Sequence, residues 1–509
     1  MFVRKKRNLS GTTSVQVVDK SKGYRVVKTM GASKDPVEIQ RLLELGRLFT
    51  DEQDGQYLLP FGNHRDQAVI DRFVSQLQNT SIRTIGPELI FGRLFDELGF
   101  DAIPEGLFRD MVVARLVYPT SKLKTIDYLY RYRGQTVSVQ QIYRFLDRLH
   151  GRYEDQVQQI AYGHTRRILQ QIRVVFYDMT TLYFEAEDED DLRRIGFSKD
   201  GKFQCPQIML GLLVGESGYP IGYDIFEGNR FEGKTLLPVL RRIQERYQLG
   251  KPVVVADAGM LSKENLATLK KEGYPFIVAA RLRNEPAAMQ EQILKRRKAL
   301  QSGQAVVMDH GDGRRLVVSY SDRRAKRDQH NRERGLSRLR KQIGQGRLTK
   351  EQFNRRGYNK FLKLKGEVAL EIDEDKVSED AAWDGLKGYL TNTNLSAEQI
   401  IDSYGQLWHI EKAFRISKTD LRIRPIYHRR QHRIEAHILI AFVAYAIYKE
   451  LERRLEAAHI PMTPKRAAEL TQTMYELTFT YPQQLAVQTA LLKMCPEQQQ
   501  LYDLICPHK

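Results

Sequence analysis

The sequence predicts an α/β protein, a mixed β-sheet with flanking helices preceded by a helical region. Three observations carry that expectation. Short, β-branched apolar segments recur between residues 173 and 280. Apolar residues repeat every three or four positions between 35 and 150 and again after 396. Helix-start signals mark several of the joins. With 41% hydrophobic and 28% charged residues in 509 positions, the chain has ample material for buried cores. At about 150 residues per domain, two to four units are expected. Three cysteines, Cys205, Cys495 and Cys506, cannot frame a chain of this length with disulfides and favour a reducing compartment. The start, Met1–Arg7, is basic with no apolar stretch behind it, so no signal peptide is expected. The most apolar run, Ile438–Tyr448, is about half the length that crosses a bilayer. A cytoplasmic protein follows as the expectation. Its formal charge of +18 asks for an anionic partner, of which nucleic acid is the usual one.

Taken in order, residues 1–34 alternate polar and apolar side chains and read as a β-hairpin. Residues 35–168 read as helical, with Pro87–Leu98, Glu105–Val117, Ser121–Arg131 and Ser138–His150 as the clearest pieces. Ser138 and Gln141 form a capping box that sets the start of the last of these. Short helices with Lys122, Lys124, Arg131, Arg133, Arg144 and Arg148 exposed suit a helix-turn-helix-like DNA binder; a plain helical bundle with solvated basic faces reads equally well. Residues 169–283 change texture. Arg173–Phe184 is a strand carrying Asp178. Cys205–Val214 and Tyr219–Phe226 form a hairpin across a Gly-Glu-Ser-Gly turn. The helix Thr235–Tyr247, the buried strand Pro252–Met260 with Asp257, the helix Ser262–Glu272 and the buried strand Pro275–Ala280 follow. Three antiparallel strands and then two parallel crossovers are the topology of a ribonuclease H-like core. Residues 284–395 read as an inserted subdomain, partly helical and partly β, opened by the basic stretch 323–334. A second capping box, Ser396 with Gln399, opens a long helix through about Lys418. Residues 396–455 thus complete the core, ending in the apolar helix Ile434–Leu455, and 456–509 is a helical tail.

Two carboxylates stand on neighbouring strands of one sheet, Asp178 in mid-strand and Asp257 at a strand's carboxyl end, where ligands of open α/β sheets bind. A buried strand Asp is expensive without cationic partners or a metal. On the 396–418 helix, Tyr404, Glu411 and Lys418 are seven apart and share a face, with Arg415 one turn beyond Glu411. Trp408 and Phe414 point elsewhere as anchors. Two strand Asp residues and a helical Glu make an oxygen-rich cage for Mg²⁺, which leaves room for water and phosphate oxygens. Two such ions, with Mn²⁺ as a substitute, can activate a water or a DNA 3′-hydroxyl and stabilise the leaving oxygen. Tyr404, Arg415 and Lys418 are then placed to grip DNA phosphates.

At this point the chain resembles the bacterial insertion-sequence transposases of the DDE superfamily, in the group with a β-rich insertion between the second Asp and the Glu. The resemblance rests on Tyr177–Glu185, Gly196–Phe203, Phe226–Asn229, Val255–Ser262 and Tyr404–Lys418, and spans roughly residues 170–450. The family's helical signature runs Tyr, Arg, Glu, Lys; Tyr404, Glu411 and Lys418 match, and Leu407 occupies the Arg position. The resemblance implies Asp178, Asp257 and Glu411 as catalytic, metal-holding residues. It implies cleavage at terminal inverted repeats and transfer of the freed 3′-hydroxyls into target DNA. A homodimer holding two ends, and association with the nucleoid rather than a membrane, follow from that reaction. Two alternatives remain: another ribonuclease H-like nuclease, or a non-catalytic DNA-binding regulator derived from a transposase.

Other signals are weaker. The acidic run 185–191 lacks an apolar frame and reads as a solvated loop. His409 reads as structural and Asp384 as a turn residue. The 11 histidines and three cysteines show no zinc spacing, and no phosphate-binding Gly-rich Lys-Ser/Thr loop exists. The basic clusters 122–148 and 323–347 are candidates for end binding.

Overall fold

The computed structural model describes residues 1–21, 23–53, 70–71, 73–75, 77–78, 81–257, 259, 262–345, 357–365, 369–480 and 487–507. They fall into two compact units, residues 1–82 with 477–490, and residues 83–476 with 491–509.

In the first unit, β1 (Phe2–Arg7), β2 (Thr13–Asp19) and β3 (Arg25–Ser33) form an antiparallel meander. The helix Pro36–Gln53 packs on it, and Val15, Val17 and Val18 are fully buried beneath. Gly46 sets the approach of that helix, because a Cβ there would lie 2.8 Å from Val3 of β1. The hairpin expected over 1–34 is therefore a three-stranded sheet. Its alternating segments are β2 and β3. The edge strand β1 escaped because Arg4, Lys5 and Lys6 make it read as a basic tail, which is how edge strands resist further pairing.

The chain passes to the second unit through the short strand β4 (Ile82–Thr84). The four helices expected between 87 and 150 form, at Glu88–Leu98, Gly106–Val117, Lys122–Arg133 and Val139–Tyr153, and Glu154–Leu169 follows. Ser138 accepts from the Gln141 backbone N–H while the Gln141 side chain accepts from Ser138, completing the capping box. These helices pack around Gln431–Ala457, whose residues 438–448 are all buried. The most apolar run in the sequence is thus a core helix, and no described helix is long and apolar enough to cross a membrane.

The sheet itself is built from β5 (Val174–Tyr183), β6 (Gln207–Val214), β7 (Pro220–Glu227), β8 (Val253–Ala256), β9 (Phe276–Ala280), β10 (Ala305–Gly311), β11 (Arg314–Tyr320) and β14 (Leu386–Thr391). A separate pair, β12 (Leu362–Lys365) and β13 (Ala369–Ile372), accounts for the missing numbers. The order is β10-β11-β14-β9-β8-β5-β6-β7. β5, β6 and β7 are antiparallel, whereas β5 to β8 and β8 to β9 are parallel, with helices Leu236–Tyr247 and Lys263–Lys271 in the crossovers. This is the arrangement expected for the core. Of the expected strand Pro252–Met260, only Val253–Ala256 is strand; 258, 260 and 261 lie outside the described residues.

The period of two along β5 separates two apolar clusters. Val175, Tyr177 and Met179 face the Leu236–Tyr247 helix, while Phe176 and Leu182 face the central helix Gln431–Ala457. Asp178 shares the second face, as does Asp257, two beyond Val255.

Residues 284–395 divide between two roles. β10, β11 and β14 continue the core sheet beyond β9. The helix Asp322–Gly344 and the β12–β13 hairpin build a small cluster around Leu336, Leu339, Phe361, Leu362 and Leu370. The basic stretch 323–334 lies on this helix, where Arg332 holds Asp384 with two 2.6 Å bonds; residues 346 and 347 lie outside the described set. Asp384 is therefore an ion-pair partner as well as a turn residue. The tail, expected to be helical, has helices Pro464–Thr471 and Pro496–Ile505 with strands β15 (Tyr475–Thr480) and β16 (Val487–Leu491) between them. Residues 481–486, 508 and 509 lie outside the described set.

Candidate active site

Strand pairing brings the first two carboxylates together. Tyr177 of β5 lies beside Ala256 of β8, so Asp178 and Asp257 follow that pair on adjacent strands. The third arrives from the other side of the same face. The capping box at Ser396 and Gln399 starts a helix at Ala397, but it stops at Gly405 and a second begins at Trp408. A glycine within a helix costs about 1 kcal/mol relative to alanine, which favours a break there. The single helix expected through Lys418 is thus two, Ala397–Gly405 and Trp408–Arg415, with a further turn to Asp420.

One open cavity is lined by Asp178, Lys199, Asp257, Lys387, Tyr404, Leu407, Trp408 and Glu411. Asp178 Oδ1 accepts from its neighbour's backbone, Met179 N, at 2.7 Å, and lies 3.9 Å from Lys199 Nζ. Lys199 also bridges to Glu232 at 2.8 Å and donates to Met179 O at 2.7 Å. Burial pushes the Asp178 carboxyl up to about 6; Lys199 pulls it back, and Glu232 and Asp257 add to the rise. Tyr404 donates to Asp257 Oδ1 at 3.4 Å, and Lys387 sits over the Tyr404 ring at 4.3 Å. Burial is the main reason the Tyr404 hydroxyl is held above its ordinary range, followed by the charge of Asp257. Burial likewise lowers Lys387, with Arg324 adding to it.

Of the six residues singled out from the sequence, Asp178, Asp257, Glu411 and Tyr404 meet in this cavity. Arg415 and Lys418 are not in its lining. Lys418 instead donates to Asp200 at 3.2 Å, and Arg424 reaches the same carboxylate. Trp408, expected to point away, lines the cavity half-exposed and stacks on His409 at 4.0 Å. The break at Gly405 changes the helical phase on which its expected direction rested. Burial, then Lys449 and Lys412, push His409 down to about 4, in keeping with a structural role. Two lining residues were missed. Lys199 was within reach, inside the segment Gly196–Phe203. Lys387 was not, because it arrives through the β14–β9 pairing across more than a hundred residues.

The donor set suits a hard divalent cation. Asp178 is a carboxylate that burial disfavours as an anion, with two further acids on the same cavity and open space between them. Among the described residues, the one trio of potential ligand atoms within 4.8 Å of one another lies elsewhere, at His150, Glu154 and Glu435. The acidic run 185–191 is largely exposed, as expected, and Asp190 caps its own turn through Leu192 N and Arg193 N.

The Transposase DDE domain family matches residues 169–447, more than half of the chain. The chain belongs to the DDE transposase family. The matched segment of this transposase holds all three carboxylates and every strand of the core sheet. Among solved structures it is similar to piggyBac transposase in a synaptic complex with hairpin DNA, at 10% identity over 76% of each chain and a TM-score of 0.39. It is also similar to the Mos1 transposase paired-end complex with the left transposon end, at 13% identity over 50% of this chain and 69% of that one, with a TM-score of 0.16. No curated protein matches the chain.

Proposed function

We propose that this DDE transposase cuts DNA at the ends of an insertion sequence and joins the freed 3′-hydroxyls to target DNA, with Asp178, Asp257 and Glu411 as its catalytic carboxylates. The observation that carries the reading is their convergence on one open cavity of a ribonuclease H-like sheet, from three segments that are remote in sequence. Together they are suited to hold two Mg²⁺, with Mn²⁺ as a substitute. Bound there, such ions lower the pKa of a water or hydroxyl nucleophile and neutralise charge on the leaving oxygen.

The remaining roles belong to the chain's own side chains. Lys199 orients Asp178 and offsets part of its desolvation. Tyr404 fixes the Asp257 carboxylate by donating to it. Lys387 supplies further positive charge in the cavity wall, toward which a phosphodiester would be drawn. Trp408 presents an exposed aromatic face beside Glu411, suited to a base. Exposed Arg415, just beyond Glu411, is suited to meet phosphates outside the cavity, and Lys418 would do so in exchange for Asp200. The basic surface of helices 122–148 is the candidate reader of the terminal repeats, and two copies of the chain would hold two ends. The bacterial insertion-sequence group, with its Tyr-Arg-Glu-Lys helix, is the subgroup this reading favours. Action on the bacterial chromosome would place the protein with the nucleoid.

The test is cleavage of labelled DNA bearing the element's terminal repeats, with Mg²⁺ and with EDTA, by wild type, Asp257→Ala and Glu411→Ala. Metal-dependent nicks at the repeat ends, lost in both variants while DNA binding persists, are expected. Unspecific nicking would replace the reading with a general ribonuclease H-like nuclease. Tight binding with no cleavage would replace it with a regulator.

A further inference from the structure

A second cavity shares no lining residue with the first. Its walls come from the end of the Gly106–Val117 helix and the turn into Lys122, from the turn 422–428, and from His437 of the central helix. Arg115, Lys122, Arg422, Arg424, His428 and His437 line it, and no acidic side chain does. Lys122, expected on an exposed basic face, is only 7% exposed, and Arg115 only 5%. Among the described residues, the buried Lys122 ammonium has no hydrogen-bond partner. Arg115 reaches two backbone carbonyls, Leu421 O and Arg422 O, and His437 Nδ1, each at 3.4 Å. His437 Nε2 lies 2.9 Å from Ile423 O, so it donates there and turns an unprotonated Nδ1 toward Arg115. Among the described residues, neither cation meets a carboxylate.

Burial, then Arg115 and Lys122, hold His437 far below its ordinary range; burial, then the same two cations and Arg433, push His428 down to about 3. The histidines are therefore neutral, which leaves Arg115 and Lys122 as the basic groups buried in the cavity wall. Burial and the Arg115 charge lower the Lys122 ammonium well below its usual range. A buried ammonium beside a guanidinium is costly without a counter-ion, and a bound anion is what would offset that cost and favour the charged form of both. Exposed lysines of a solvated surface carry no such cost.

The position of the cavity says which anion. Arg424, on its wall, is held by Asp200, the carboxylate that also takes Lys418 from the end of the Glu411 helix. Lys199, next to Asp200 in the chain, lines the cavity of the three acids. Cationic side chains thus run from Lys199 through Lys418 and Arg424 to Lys122 and Arg115. We infer that the second cavity is a phosphate-binding site that seats a backbone phosphodiester of the DNA strand lying across the catalytic cavity, with Lys122 and Arg115 as its ligands. The inference rests on the DNA-cutting reading for its occupant, and on the unpartnered buried cation for the site.

The test uses the full chain, wild type beside Lys122→Met and Glu411→Gln. Binding of a labelled end-bearing duplex is followed by fluorescence anisotropy across a salt series. Lys122→Met is expected to bind about tenfold more weakly, with a slope of log K against log salt reduced by about one. Glu411→Gln is expected to bind as wild type while losing cleavage. In a second arm, inorganic phosphate is titrated against wild type at constant ionic strength with chloride as control. A melting temperature that rises with phosphate and not with chloride is expected, and the rise should be lost in Lys122→Met. Equal DNA affinity and slope in wild type and Lys122→Met would overturn the site's assignment to DNA. No preference of wild type for phosphate over chloride would overturn the site altogether, whether or not the variant folds. Phosphate stabilisation with unchanged DNA binding would reassign the site to a free phosphate ligand. If wild type cuts the ends and Lys122→Met binds normally, this site fails and the catalytic reading stands. If wild type never cuts but Lys122→Met binds weakly, the reverse holds.

Discussion

Asp178→Asn should stabilise the metal-free protein at pH 8 while abolishing its response to Mg²⁺. Burial raises the Asp178 carboxyl from 3.8 to about 6. A folded-state pKa above the unfolded one means the native protein binds this proton more tightly. The group's contribution to stability is therefore full below pH 3.8 and is lost as pH rises through 6. At pH 8, carrying Asp178 ionised in the native state costs up to about 3 kcal/mol, from 1.36 kcal/mol per tenfold change in acidity. A quarter of the side chain is exposed and water screens it, so about 1.5 kcal/mol is the working figure. The Asn side chain, nearly isosteric and uncharged, escapes that cost. Equilibrium urea unfolding followed by tryptophan fluorescence should show Asp178→Asn more stable by about this amount at pH 8, by less at pH 5 and by nothing near pH 4. Added Mg²⁺ should then stabilise wild type and leave the variant unmoved, because a divalent cation offsets the same desolvation. A variant less stable than wild type at every pH would refute the reasoning, since Asp178 would then be a structural anion rather than one waiting for a cation.

Lys199→Ala should shift the acid limb of end cleavage to higher pH, because Lys199 is the largest influence holding the Asp178 pKa down; a pH–rate profile unchanged from wild type would rule that role out. Leu407→Arg, which places a cation in the cavity wall, should tighten end-DNA binding a few-fold and steepen its salt dependence by about one, read by anisotropy. Glu450 is buried in the central helix and takes hydrogen bonds from Arg453 at 2.6 Å and Arg454 at 2.7 Å, with His164 3.4 Å away. Burial raises its carboxyl but these partners outweigh it and hold it well below the usual range, so its stabilisation is present above pH 4.5 and is lost as pH falls below that. Glu450→Ala should cost about 2 kcal/mol at pH 7 by denaturant unfolding, since it takes this carboxylate from Arg453 and leaves Arg454 to its other partner, Glu97.

The local elements were legible in the sequence because local chemistry decides them. Both capping boxes, the helices between 87 and 150 and the five strands from 174 to 280 follow from caps, periodicity and β-branched runs, and form close to where expected, the strand before Asp257 being the shorter Val253–Ala256. Asp178 and Asp257 stood out because an acid among buried valines has few structural uses. Which face they occupy was not legible, because β5 and β8 are apolar on both sides and alternation cannot tell the two apart. What else the sequence left undecided depends on pairing between distant segments. β10, β11 and β14 join the core sheet only through the β14–β9 ladder, and that ladder alone delivers Lys387 to the cavity. Trp408 turned inward because the helix breaks at Gly405, a competition between propensity and packing that periodicity cannot resolve. Lys122 shows the limit most clearly. In the sequence it is one basic residue among many on a helical face, indistinguishable from Lys124 two positions on. Only the closure of the 422–428 turn and His437 over it, three hundred residues away, buries its charge, because burial is a property of the whole packed chain.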